Sequence, residues 1–113
     1  MQAGEIYLAR FPFGDVPGMK LRPVLLPTRT IGSVPEVLVA YISSVLPAQP
    51  LPSDLILDPM QPAFQTTNLK VPSALRLHKL ATIHSSSLAR HLGVLESAQQ
   101  RVVTAKLKTL LGL

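Results

Sequence analysis

One small, mainly β domain ending in a helix is the expectation for this 113-residue chain, and three features raise it. Short apolar, β-branched runs recur through the first two thirds, bounded by Gly, Pro and Ser. Pro47, Pro50 and Pro52 exclude both helix and interior sheet, so Leu46–Ser53 is an extended connector. The closing segment then switches to a helical period. A chain of this length builds one core rather than two, so residues 1–113 are expected to form a single domain.

Taken in order, the first strand is expected at Glu5–Phe11, where Ile6 and Leu8 alternate with Tyr7 and Ala9 and both faces are partly covered. Gly14-Asp15-Val16-Pro17-Gly18 is dense in turn formers and is expected to be a loop. Beyond it, Lys20-Leu21-Arg22-Pro23-Val24-Leu25-Leu26 sets a cation where the loop enters a strand near Val24–Pro27. Pro23 has a fixed φ and biases Arg22 toward an extended backbone, so the guanidinium projects at a defined strand edge. Its planar fork of donors suits phosphate, although an ordinary surface cation at a strand start has the same sequence.

Val37–Ile42 is apolar and β-branched enough for a strand covered on both faces, and it ends abruptly in Ser43-Ser44. Antiparallel pairing of this strand with Val24–Pro27 across the Thr28–Glu36 loop brings Arg22 and Ser43 to the same end of the ladder. Leu55-Ile56-Leu57 is a short strand, Gln61–Asn68 a polar excursion, and Ser73–Leu77 with Leu80–Ile83 supplies the last strand or two.

Two helices follow in this reading. Ser85-Ser86-Ser87 caps a helix of one to two turns through Leu88 and Leu92, with Gly93 as its stop. A longer helix spans about Glu96 to Leu111, with Val103, Leu107, Leu110 and Leu111 in an apolar stripe and Ala98 and Val102 beside it. Gln99, Gln100, Arg101, Lys106 and Lys108 face water, and Glu96 and the lysines complement the helix dipole. This helix is expected to pack on the sheet and to carry no chemistry.

Composition narrows the function classes. Eleven Lys and Arg against six Asp and Glu leave a formal charge of +5, which favours polyanionic partners, nucleic acid first among them. A modest excess without a basic run is also common in proteins that bind none. With no cysteine there is neither a disulfide nor a thiolate zinc site. His78, His84 and His91 lack the spacing of a helical zinc pair, His78 falling in a strand and His91 on the short helix, so no metal centre is expected. There is no nucleophile elbow, P-loop or GxGxxG, and no cofactor is expected. No apolar run approaches a membrane span and no signal peptide is evident, so the cytoplasm is the default and no membrane contact is expected.

Four ordered blocks carry a resemblance. Gly4-Glu5-Ile6-Tyr7 with Phe11-Pro12-Phe13-Gly14-Asp15, Lys20-Leu21-Arg22-Pro23-Val24-Leu25, Ala40-Tyr41-Ile42-Ser43-Ser44, and Leu69–Leu77 with Lys79–Ile83 and Leu92–Leu95 follow one another along nearly the whole chain. In order and spacing they resemble the MazF/PemK toxin endoribonucleases of bacterial toxin–antitoxin pairs. The resemblance implies an SH3-like β-barrel of the CcdB/PemK type with a short helix and a C-terminal α-helix. It further implies a two-fold homodimer with a basic cleft, a cognate antitoxin that fills this cleft, and single-stranded RNA (mRNA) as substrate.

By the same resemblance Arg22 and Ser43 are the catalytic pair. Metal-free cleavage by the RNA's own 2′-OH needs only orientation, a proton route and cationic stabilisation of the transition state. Arg22 would stabilise charge on the scissile phosphate or protonate the leaving 5′-oxygen, and Ser43 would bond a phosphate oxygen or the attacking 2′-OH. The products would carry a 2′,3′-cyclic phosphate and a 5′-hydroxyl. Ser44 stands in if the register slips by one. Lys20, Arg10 and Lys79 are RNA-binding candidates, with Ser44. The chain departs from the family's frequent Gln-x-Arg-Thr run, reading His78-Lys79-Leu80-Ala81-Thr82, so Ala81 occupies the arginine slot. Its Gly14–Gly18 loop is also short. Competing readings are a non-catalytic, protein-binding toxin of the gyrase-poisoning CcdB type and a small basic nucleic-acid-binding module.

Overall fold

Strands form where the β-prone runs lie. The computed structural model describes residues 1–11 and 20–113, Phe11 by its backbone alone. Within them are β1 (Glu5–Phe11), β2 (Lys20–Leu25), β3 (Glu36–Ser43), β4 (Asp54–Leu57), β5 (Ser73–His84), β6 (Leu88–Val94) and α1 (Ser97–Leu111). The strands make one antiparallel sheet in the order β4-β5-β3-β2-β1-β6. The expected Gly14–Gly18 loop lies outside the described residues.

Both faces of this sheet are buried. One carries Ile6, Leu25, Ala40, Ile42, Leu57, Leu75 and Leu77, closed by Leu95, by Val103 of α1 and by Phe64. The other carries Ala9, Val24, Leu26, Val37, Val39 and Ile83. Two-sided burial explains why β3 reads as a nearly continuous apolar run rather than an alternating one.

The two edge strands, β4 and β6, are joined through a 3-10 helix over Pro62–Thr67, which curls the sheet into a half-barrel. Thr66 Oγ1 donates to the Val94 carbonyl at 2.7 Å and Asn68 Nδ2 to the Leu92 carbonyl at 2.8 Å. The expected polar excursion is therefore a folded clasp. Asn68 ends it in the left-handed region at φ 57°, which asparagine tolerates better than most residues.

The largest correction concerns Leu88–Leu92, expected as helix and found as strand β6. Ser85–Ser87 forms a single 3-10 turn, and the chain then pairs along β1 from Glu5↔Val94 to Ala9↔Leu88. The edge of β1 needed a hydrogen-bonding partner, and that long-range demand outweighed the local capping signal. Gly93 is thus no helix stop: a Cβ there would lie 2.4 Å from the Thr66 and Thr67 carbonyl oxygens, so glycine lets the clasp approach β6. His91, expected on the helix, stands on β6 with Nε2 2.9 Å from Glu5 Oε2.

Smaller corrections have similar causes. β2 starts at Lys20, because Lys20–Pro23 pair with β1. Ser73–Ile83, expected as one strand or two, is one strand through His84, interrupted by a bulge across Leu77–Lys79 where pairing with β3 shifts between Ala40↔Leu80 and Tyr41↔Arg76. On α1 only Val103 of the expected stripe is buried, with Leu107 packed at its edge, while Val102, Leu110 and Leu111 are exposed. Gln100 and Lys106, expected to face water, turn back to donate to the carbonyls of Leu95 and Pro52.

Candidate functional site

Pro23 shapes the site through what it lacks. It pairs with Leu8 on β1, but the ladder between β2 and β3 holds only at Val24↔Tyr41 and Leu25↔Ala40 and stops beside the residue that has no N–H. Carried two residues further, the same register sets Arg22 opposite Ser43. Side chains alternate along a strand, so Arg22 and Val24 share the face of Tyr41 and Ser43. Twenty-one positions apart in sequence, the guanidinium and the hydroxyl stand on one face at the point where two strands cease to bond.

Both groups are half-buried. Among the described residues Arg22 makes no side-chain hydrogen bond or ion pair. Ser43 Oγ is held locally, accepting from the Val45 amide at 3.1 Å and lying 3.2 Å from the Val45 carbonyl. This short turn fixes the hydroxyl at the end of β3 without burying it.

The other predicted residues divide. Lys20 lies two positions before Arg22 on the same face and is exposed. Lys79 sits in the β5 bulge with Nζ 5.5 Å from the centroid of the Tyr41 ring, which brings it to this face as well. Arg10 pairs with Leu21, one step out of phase with Ala9↔Arg22, and so belongs to the opposite face. Ser44 lies past the end of β3, in an exposed bend.

A row of residues crosses the sheet beside Arg22 and Ser43: Tyr7, Val24, Tyr41, Arg76 and Asp54, each paired with the next. Arg76 and Asp54 were not foreseen, because only folding brings β4 against β5. The one sequence signal was a charge interrupting Leu75-Arg76-Leu77. Arg76 Nε donates to Asp54 Oδ1 at 2.8 Å, and the Leu51 amide donates to Oδ2 at 2.8 Å, so a fully buried carboxylate is satisfied on both oxygens. His78 Nδ1 lies 3.9 Å from Asp54 Oδ1. Ala81, in the slot where an arginine was noted as missing, packs at the edge of the second core cluster.

At the other end of the row, burial and secondarily the Glu5 carboxylate push the Tyr7 hydroxyl above its ordinary pKa, so it is a neutral donor at physiological pH. A folded pKa above the unfolded value of about 10 makes stability fall as pH rises past 10. Tyr7→Phe is expected to flatten this alkaline loss; equal slopes of unfolding free energy between pH 9 and 11, roughly that range around the unfolded value, would refute the assignment.

No group of three or more His, Cys, Asp or Glu side chains suited to a metal gathers among the described residues. A cleft of about 550 Å³ between α1 and Leu51–Ser53 adjoins His78 but not Arg22. Its exposed lining is mainly apolar, with Leu51, Pro52 and Leu110, and Ser53, His78, Lys106 and Thr109 border it.

A family model described as PemK-like, MazF-like toxin of type II toxin-antitoxin system matches residues 2–111. No curated protein matches the chain. Among solved structures, the Mycobacterium tuberculosis toxin MazF-mt6 is 23% identical, with a TM-score of 0.75 over 96% of this chain and 97% of that one. An endoribonuclease in complex with its cognate antitoxin from a mycobacterial species is 16% identical, with a TM-score of 0.70 over 100% of this chain and 96% of that one. A further endoribonuclease from a mycobacterial species is likewise 16% identical, with a TM-score of 0.71 over 100% of this chain and 92% of that one. At these identities the structural likeness is one of fold.

Proposed function

The chain belongs to the PemK-like, MazF-like toxin family of type II toxin–antitoxin systems, and on that premise we propose that it is an endoribonuclease that cuts single-stranded RNA without a metal ion. The observation that carries this reading is the placement of Arg22 and Ser43 on one face where β2 and β3 stop bonding. The substrate supplies the nucleophile: its 2′-oxygen bonds to phosphorus as the bond to the 5′-oxygen breaks. The 2′-hydroxyl gives up a proton and the 5′-oxygen gains one, leaving a 2′,3′-cyclic phosphate and a 5′-hydroxyl.

In this reaction Arg22 bears the charge that builds on the non-bridging phosphate oxygens. A guanidinium stays protonated at any working pH, so its role is charge and hydrogen bonding rather than proton exchange. Ser43 donates to a phosphate oxygen or orients the 2′-hydroxyl, and Lys20 and Lys79 bind neighbouring phosphates from the same face. Arg10 and Ser44 would contact RNA only outside this row. A cognate antitoxin is the regulating partner, supported by the relative solved with its own antitoxin. The working form would be a homodimer in the cytoplasm. No helix among the described residues is long and apolar enough to cross a membrane.

The reading is tested by incubating the protein with a long unstructured RNA in EDTA. Cleavage with cyclic-phosphate ends is expected, and a 2′-deoxy substitution at the cut position should block it. RNA that stays intact would favour a toxin acting by protein contact alone. Ser43→Ala should slow cleavage by about 10- to 100-fold, as loss of one hydrogen bond to a charged group predicts. Its melting temperature should hold, because the lost partners are the exposed backbone of Val45. A Ser43→Ala rate equal to wild type would remove the hydroxyl from the mechanism.

A further inference from the structure

Arg76 is anchored in a way that leaves most of its donors unspent. Its Nε bonds one oxygen of Asp54, whose side chain is 0% exposed, while the Arg76 side chain keeps 19% exposure. Among the described residues, neither terminal nitrogen of the guanidinium makes a hydrogen bond. A contact through Nε alone fixes the direction of the fork and leaves four N–H donors available.

Its position gives those donors a target. Arg76 pairs with Tyr41 and Ala74 with Ser43, so Arg76 shares the face of Ser43 on the far side of β3 from Arg22. Neighbouring strands lie about 4.8 Å apart, so β2 and β5 are separated by roughly 10 Å, and β3 with its tyrosine and serine lies between them. Lys79, brought onto the Tyr41 ring by the bulge in β5, adds a second cation on the Arg76 side. A single-stranded polyanion lying across the end of β3 meets positive charge on both flanks.

We propose that Arg76, oriented by the buried carboxylate of Asp54, binds a phosphate of the RNA backbone adjacent to the one held at Arg22 and Ser43. This rests on the ribonuclease reading and deepens it by naming where the strand is gripped beside the cut. Asp54 is a positioning residue: both its oxygens are committed, one to Arg76 and one to the Leu51 amide. It draws the guanidinium to the β4 side.

The test is a salt titration of binding to a fully 2′-O-methylated single-stranded RNA, which cannot be cleaved. The double variant Asp54→Asn/Arg76→Gln keeps a neutral hydrogen-bonded pair in place of the ion pair. It should bind about five- to tenfold more weakly, and the slope of log affinity against log salt should fall by about 0.7, one phosphate's share for a single strand. Arg76→Lys, which keeps the charge, should keep the slope; losing it as the double variant does would mark a purely structural role and overturn the inference. A folded double variant with wild-type affinity and slope would also overturn it. Should the double variant not fold, the Nε–Hε resonance that vanishes in Arg76→Lys identifies Arg76 in the wild-type spectrum. That resonance must shift on RNA addition, and one unmoved at saturation overturns the proposal. Wild-type protein showing no salt-dependent RNA binding would sink the ribonuclease reading itself, a result distinct from failure at Arg76 alone.

Discussion

Arg22→Ala is expected to lower the single-turnover rate of RNA cleavage by about 10²- to 10³-fold or more, exceeding the loss in Ser43→Ala. Removing one preorganised donor aimed at developing charge costs about 3 to 4 kcal/mol in an acyl-transfer site, and here the donor also carries a full positive charge. Folding should be nearly untouched. Arg22 has no side-chain partner among the described residues, so truncation orphans no buried group among them, and a change within about 0.5 kcal/mol is expected. Arg22→Lys should recover only part of the rate, since an ammonium keeps the charge but loses the planar fork. Rates for Arg22→Ala within a few-fold of wild type, in folded protein, would show that the chemistry lies elsewhere.

Gly93→Ala should instead cost stability, about 2 to 3 kcal/mol, with the melting temperature falling by roughly 10 °C or more. A Cβ at this position meets the carbonyl oxygens of Thr66 and Thr67 at 2.4 Å, and both are backbone atoms that no rotamer change can move aside. Relief requires the 3-10 helix to back away from β6. That retreat stretches the hydrogen bonds from Thr66 to Val94 and from Asn68 to Leu92, which tie the two edges of the sheet together. Gly32→Ala is the internal comparison: its added methyl meets nothing among the described residues, and the left-handed backbone at φ +56° is what resists it, at about 1 kcal/mol. Equal melting temperatures for the two variants would contradict the close approach at Gly93.

Elements with strong local signals were legible in advance. Glu5–Phe11 and the Val37–Ile42 run needed only their composition, and the last helix only its period and the charges at its two ends. The expectation that Arg22 and Ser43 share one end of a ladder followed from two strands and the loop between them, and the structure shows the antiparallel pairing it assumed, at Val24↔Tyr41 and Leu25↔Ala40. Where the reading failed, the competing force was distant. Ser85-Ser86-Ser87 is a sound capping sequence, yet Leu88–Val94 became a strand because β1 had an open edge to satisfy.

The amino-acid order by itself determined the strand-rich class and the terminal helix, which rest on neighbours close along the chain, and the family, which rests on four blocks spread along it. It also raised the expectation that Arg22 and Ser43 form a pair. Tertiary structure alone decided that Asp54 meets Arg76, that Glu5 meets His91, and that a clasp after β4 closes onto β6. Those contacts join residues between 22 and 86 positions apart and exist only once loop-closure entropy has been offset by burial on both faces of the sheet, a cooperative event to which no local pattern points.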